Sequence, residues 1–550
     1  MRFKKMRNGD GVVRLALAGV LSLAALAPSA ASAQASVSDA NALYRNIRMG
    51  DGQPGDRSDL HLIPVIAVMD RPPVGADTPD RARLLQPGMA AWDTAAAWAS
   101  SPAQQRVLEK LRLVTEEIDP SFAMGYGQPY GQDALLEFFE LELPEEVFDA
   151  IIERGLFTDI DVGGTPLLAA ADRSERGVPT VYRWLAPLVH VEATRLYHEG
   201  DIIASLRLLS DYTFFGRQIA DRQLRREKVY GLTMMIDGLE RMRDIAYVDF
   251  RSDAPQLRST NTWDPLIRLL DRMADRSRDN EPGFLELDRL GLPRASWIAA
   301  RQLARHTLDS NGARSGAFNA TMARLGGGDD PLRMLATAST WGVYAQRQKP
   351  QSEALREIED IIGDMRLRWQ QDDPFHRMMR TPFTLERVNL QENVPAYITL
   401  YGTDVLFNLR RIVRAEIAGT RLALAAVGNR YRTGGFARTP ASVRPTWLFR
   451  LDADPFNPAS GGQPLQLFVP GRDIRSRVHE INVIVEGAPN FRRNIADDEF
   501  VVYSVGADGV ANLATRVQNS VSLVEGADYL IWPPVLSLQR LQLDDLGELR

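Results

Sequence analysis

The side chains able to do chemistry bound the function first. Six histidines are present: His61, His190, His198, His306, His376 and His479. No H-E-x-x-H or H-x-H spacing joins them, so a standard zinc-hydrolase site finds no support. His190 and His198 stand eight positions apart, about two helical turns, and can share a helix face; structural histidines satisfied within a core fit the same spacing. Cysteine is absent, which removes thiol nucleophiles and Cys metal ligands. G-x-S-x-G is absent too, and with it the esterase elbow. Gly326-Gly327-Gly328-Asp329-Asp330-Pro331 lacks the lysine and hydroxyl of a phosphate loop and reads as a turn leading into a helix.

Carboxylates remain. Glu137, Glu140, Glu142, Glu145, Glu146 and Glu153 lie among Phe138, Phe139 and Phe148. A glutamate buried beside aromatic rings has a raised pKa and can act as a general acid, as glycoside hydrolysis requires. Acids clustered this way also make a solvated helix face. Asp159 and Asp161, before Gly163-Gly164, carry the same two readings. No residue is assigned as catalytic.

The elements that would position these groups begin after residue 33. Arg2, Lys4, Lys5, Arg7 and Arg14 precede the apolar run Leu15 to Leu26, and Ala31-Ser32-Ala33 follows. Charged region, apolar region and A-x-A site in that order predict a signal peptide over 1–33, cleavage before Gln34 and export to the periplasm or beyond. The run is shorter than the ~20 residues a membrane span needs, and no later run approaches that length. With no disulfide available, the fold must stand on its own core. The net charge of −6 over 550 residues is mild, and the scattered basic residues give no nucleic-acid footprint.

Residues 34–100 are rich in Gly, Pro and Asp. The apolar burst His61 to Met69 contains Pro64, which favours an edge strand or extended segment, so this stretch reads as an extended arm. Helical signals dominate 101–400. Ser101-Pro102, Asp264-Pro265 and Asp330-Pro331 each place proline at a helix start, and Pro144 opens another helix with Gly155 as its stop. In Ser352–Trp369 the apolar positions Leu355, Ile358, Ile362, Met365 and Trp369 form a helix stripe. Val181 to Glu199, the turn Gly200-Asp201 and a return from Ile202 to about Met242 read as a helical hairpin. It is either an ordinary one or a unit of an irregular tetratricopeptide-like array.

From Tyr401 the character changes. Val405 to about Arg430 is one long helical segment, ended by Tyr431-Arg432-Thr433-Gly434-Gly435. Short strands follow at Trp447–Phe449, Leu465–Val469, Ile481–Val485, Glu499–Ser504 and Tyr529–Trp532. The expected fold is mainly α: a multi-helix body over 101–400, then a small α+β domain over 401–550 with one long helix packed on an antiparallel sheet.

The most specific local pattern is Phe500-Val501-Val502-Tyr503-Ser504-Val505-Gly506-Ala507-Asp508-Gly509, a strand ending abruptly in a glycine turn. Together with the long helix, Asp454-Pro455-Phe456, Gly462-Gln463-Pro464-Leu465 and Ala527-Asp528-Tyr529, it resembles the major pseudopilin of type II secretion systems. The resemblance covers about residues 405–535. The whole chain also looks like large exported bacterial proteins of unknown role that carry such a module behind a helical body. The resemblance implies one calcium ion in the last loop, with Asp508 and Asp528 as carboxylate ligands, Val505 offering its carbonyl and Ser504 a further candidate. The chain departs from that family in four places, one being a single Asp at 528 where the family often has two. Its loop before Asp528 is poor in acids, an arginine-rich insertion runs from Arg472 to Asn494, and the prepilin cleavage motif is absent. Asp508 capping its own turn through backbone N–H groups is the other reading of the same residues.

Two functions follow as expectations. One is an exported, non-enzymatic interaction scaffold with a pseudopilin-like C-terminal module and protein partners in the cell envelope. The other is an exported, glycosidase-like hydrolase using a carboxylate pair in the helical body.

Overall fold

The computed structural model describes residues 57–116, 125–128, 137–156, 178–274, 283, 285–325, 337–371, 384–389, 391–457 and 462–548. The expected signal segment, Asp159, Asp161, the Gly326–Pro331 turn and His376 lie outside them. The fold is mainly α with a small α+β part at the C-terminal end.

The first described stretch corrects an expectation. Residues 58–99 are helical rather than extended: α1 (Ser58–Ala67), α2 (Pro79–Leu84) and α3 (Trp92–Ala99). Pro64 sits inside α1, where an interior proline costs roughly 3 kcal/mol. Leu62, Ile63, Ile66 and Ala67 are all buried there, and each large apolar side chain returns roughly 1.5–3 kcal/mol. Burial therefore outweighs the missing backbone donor.

The proline-started helices form largely where spacing places them. They are α4 (Pro102–Thr115), α5 (Glu145–Glu153) with Pro144 as its N-cap, and the helix Trp263–Arg272 at Asp264-Pro265; the striped segment is the helix Gln351–Gln370, with Ile358, Ile362, Met365 and Trp369 inward. The centre of the body is α6 (Leu185–His198), α7 (Ile202–Ala220) and α8 (Arg225–Phe250). Asp201 caps α7 by accepting from the Ala204 N–H at 2.9 Å.

The expected single return helix is broken at Asp221–Leu224. There the Arg222 side chain donates to the Gln128 carbonyl at 2.6 Å and pairs with Glu227 at 2.7 Å. The break folds α8 back against α7 with backbones touching: a Cβ on Gly231 would stand 2.5 Å from the Gly216 carbonyl oxygen. Only glycine permits that approach.

The long helix, α9 (Val405–Thr433), ends at Gly434 in a left-handed conformation, φ 74°. It is buried along most of its length, from Leu406 to Gly428. One side packs on α8 and another on the sheet, where Gly419 meets Ile531. A buried polar seam ties the three layers. Arg243 of α8 donates to Glu416 of α9 and to Thr420 (2.6 Å), and the Tyr529 hydroxyl donates to the other Glu416 oxygen at 2.8 Å.

The sheet has β1 (Gln466–Phe468), β2 (Val478–Ile484), β3 (Phe491–Ala496), β4 (Val501–Ser504), β5 (Arg516–Gln518) and β6 (Asp528–Trp532), in the order β1-β4-β6-β5-β2-β3. It is mixed, not antiparallel, because β5 runs parallel to both neighbours, β2 and β6. The Arg472–Asn494 insertion is not a loop: it supplies most of the β2–β3 hairpin. Trp447–Phe449 forms no strand; Trp447 is buried against Gly428. A last helix, α10 (Val535–Asp545), places Val535 and Leu538 in a second core with Ile481, Val483, Ile495 and Leu530. Both faces are therefore covered at the centre of the sheet, where α9 packs on β4 and β6, whereas β2 and β3 keep exposed residues on one face.

Candidate functional site

The residues of the resemblance meet in one closed knot. Asp454 is 3% exposed. It accepts the Ser504 hydroxyl at 2.6 Å and the Phe456 N–H at 2.9 Å on one oxygen, and the Val505 N–H at 3.2 Å on the other. Gly506 (φ 71°) lies so close to β6 that a Cβ would stand 2.1 Å from the Ala527 carbonyl oxygen. Asp528, fully buried, accepts the Asn512 N–H at 3.1 Å and the Ala514 N–H at 2.8 Å. Leu513 and Ala514 between and at these donors have φ of 52° and 53°, a left-handed conformation that non-glycine residues rarely hold unless fixed from outside. Asp454 thus ties its own segment to the end of β4, and Asp528 ties β6 to the loop that follows Gly509.

Electrostatics follow from that closure. Burial pushes the Asp528 carboxyl up to about 6, against the pull of the Ala514 and Asn512 N–H groups, with Asp508 and Asp454 adding to the rise. Burial also raises Asp454. Asp508 stands outside the knot, exposed, with one oxygen accepting the Val510 N–H at 2.9 Å, which is the self-capped turn.

These residues do not fit a calcium shell. Ca²⁺ takes six to eight oxygens at about 2.3–2.6 Å. Here the Ser504 hydroxyl serves Asp454, both Asp528 oxygens face N–H donors, and no group of three or more His, Asp or Glu is gathered for a metal among the described residues. Sequence reasoning quoted Asp454 within a motif but missed its role; its buried bonds to Ser504 and Val505 cross about fifty positions of chain.

The glutamates of 137–153 do not converge. Glu137 pairs with Arg57, while Glu140, Glu142, Glu145, Glu146 and Glu153 are exposed. Phe139 and Phe148 meet each other edge to face instead of burying a carboxyl. Nor do the histidines of α6 act together. His190 is fully buried against the Tyr212 ring, with burial and then Arg241 and Arg83 keeping it neutral, whereas His198 reaches outward to Gln86.

What the fold does build is a cleft of about 1070 Å³ at the seam of body and sheet. Its walls are the loop Gln86–Ala90, the end of α8, the outer strand β3 and the part of α10 that carries Ser537, Leu538, Arg540 and Leu541. Glu499 lines it, receiving the Tyr247 hydroxyl at 2.9 Å and Arg251 at 2.9 Å. Burial raises the Glu499 carboxyl, opposed by Arg251 and Tyr247. Both oxygens are thereby engaged, so Glu499 anchors the wall instead of standing free as an acid. Beneath it, Arg540 pairs with buried Asp244 at 2.8 Å and donates to the Arg83 carbonyl at 3.0 Å. Only the arginine-rich character of 472–494 hinted at this site in the sequence; the rest of its lining is drawn from segments hundreds of residues apart.

No protein-family model, no curated protein and no solved structure matches this chain. Among the described residues, no helix is long and apolar enough to cross a membrane.

Proposed function

We propose that the protein is an exported, non-enzymatic interaction scaffold whose C-terminal part is a pseudopilin-like module built permanently into a helical body. The observation that carries this reading is the enclosure of α9, whose length is buried between α8 and the sheet and braced by the Arg243–Glu416–Tyr529 seam. A module held this way offers partners a fixed surface, not a free helix. The dispersed glutamates of 137–153 support the same reading, because inverting or retaining hydrolysis needs two carboxyls roughly 5–10 Å apart across a substrate. The cleft beside β3 is the surface we assign to a partner in the cell envelope.

Site-specific photo-crosslinking tests it. A photoreactive residue at Arg492 or Leu541, both at the cleft, is expected to give a discrete protein adduct in producing cells, and one at Glu145, exposed and outside the cleft lining, none. Adducts at all three positions alike, or at none, would overturn the reading.

A further inference from the structure

We infer that the free edge of β3 is a docking edge for an extended, acidic segment of a partner protein, which joins the sheet as an added strand. This rests on the interaction reading above and specifies its mode. Each residue from Phe491 to Val478's partner Ala496 pairs on one side with β2, and no strand of the described residues pairs on the other. A six-residue strand offers about 20 Å of unpaired N–H and C=O groups.

The cleft follows that edge. It touches Arg492, Arg493, Asn494 and Ile495 in succession, and successive side chains of a strand point to opposite faces. The cleft borders all four and also Glu480 of β2, so it meets β3 at its backbone as well as through its side chains. That is the geometry of strand addition, in which the main chain gives affinity and alternate side chains give selectivity.

The walls choose the occupant. On the α10 side stand Leu538 and the half-exposed Leu541, which suit apolar side chains. On the other side two cations have exposed contacts that can be exchanged. Arg492 meets Glu480 at 3.3 Å with both side chains largely exposed, and Arg251 has a second contact to Asp498 at 3.4 Å. Exposed pairs of this kind contribute little and exchange readily. Arg493 bonds Asp545 through one nitrogen at 2.7 Å and keeps its Nε and Nη2 buried, which leaves Arg492 and Arg251 as the cations an incoming segment meets. A second copy pairing edge to edge would set these arginines against their own kind, which disfavours it. A segment alternating acidic and apolar residues meets both walls.

The probe is a fluorescent peptide of alternating valine and glutamate, added to the full chain and followed by anisotropy. Binding is expected, and a roughly tenfold or greater weakening when every second peptide nitrogen is methylated, since methylation removes the main-chain donors that would bond the β3 edge. Arg492→Glu should weaken it as much while the melting temperature holds, and a valine–lysine peptide should not bind. Undiminished binding of the methylated peptide, or no binding of the parent at millimolar concentration, overturns strand addition. Crosslinks at Leu541 alongside either of those results would leave the interaction reading standing and remove only this mode.

Discussion

The knot around Asp454 and Asp528 and the cleft beside β3 are built from the same chemical groups and lie in the same sheet, yet they are wired differently. In the knot, buried carboxylates face backbone N–H groups and a hydroxyl, with no cation in contact. In the cleft, carboxylates face arginines, several of them exposed. A carboxylate that serves the backbone cannot be taken away without leaving buried donors unpaired. One that serves a solvated arginine can be replaced by another carboxylate. The first arrangement fixes a fold and the second leaves a surface able to trade partners.

The largest effect should come from opening the knot. Asp454→Ala strands the Ser504 hydroxyl and two buried N–H groups, and is expected to cost about 3 kcal/mol in urea unfolding. A loss no larger than that of Arg492→Glu, expected within about 0.5 kcal/mol, would erase the contrast between the two regions.

Next comes pH. The Asp528 carboxyl titrates at about 6 in the fold against an ordinary 3.8, so between those values the folded form binds more protons than the open chain. Stability contributed by this group is complete below the lower value and is lost as pH rises through the upper one, on the order of 2 kcal/mol in all. Asp528→Asn should flatten that part of the pH profile, whatever it does to absolute stability; an unchanged slope would show that Asp528 is not the titrating clamp.

The sequence spoke clearly where a single element carried its own signal. The stripe Ile358, Ile362, Met365 and Trp369 marks its helix, and Gly434 marks the end of α9, because local periodicity and a left-handed stop need no partner. It spoke poorly where tertiary packing overrode a local preference, as at Pro64, buried within α1, and at Asp221–Leu224, where side-chain bonds break an otherwise continuous pattern. β3 went unread because Arg492 and Arg493 mask the alternation of Phe491 and Ile495. The parallel pairings of β5 left no local mark at all, since direction is a property of pairs. For the same reason the motif around Ser504 was legible as a pattern, while the clamp on Asp454 that explains it was not.

The smallest effect is expected from calcium. With the Asp528 oxygens already bonded to Asn512 and Ala514, melting curves in calcium and in chelator should coincide. A rise in millimolar Ca²⁺ that disappears in Asp508→Ala would restore to this loop the ion-binding role its resemblance implies.

Amide hydrogen exchange on the full chain, with and without the valine–glutamate peptide, tests the division between closed knot and open edge most directly. Protection should increase across Phe491–Ala496 and stay constant across Val501–Ala514. Unchanged exchange in β3, or an equal increase in both segments, would contradict a docking edge set apart from a closed knot.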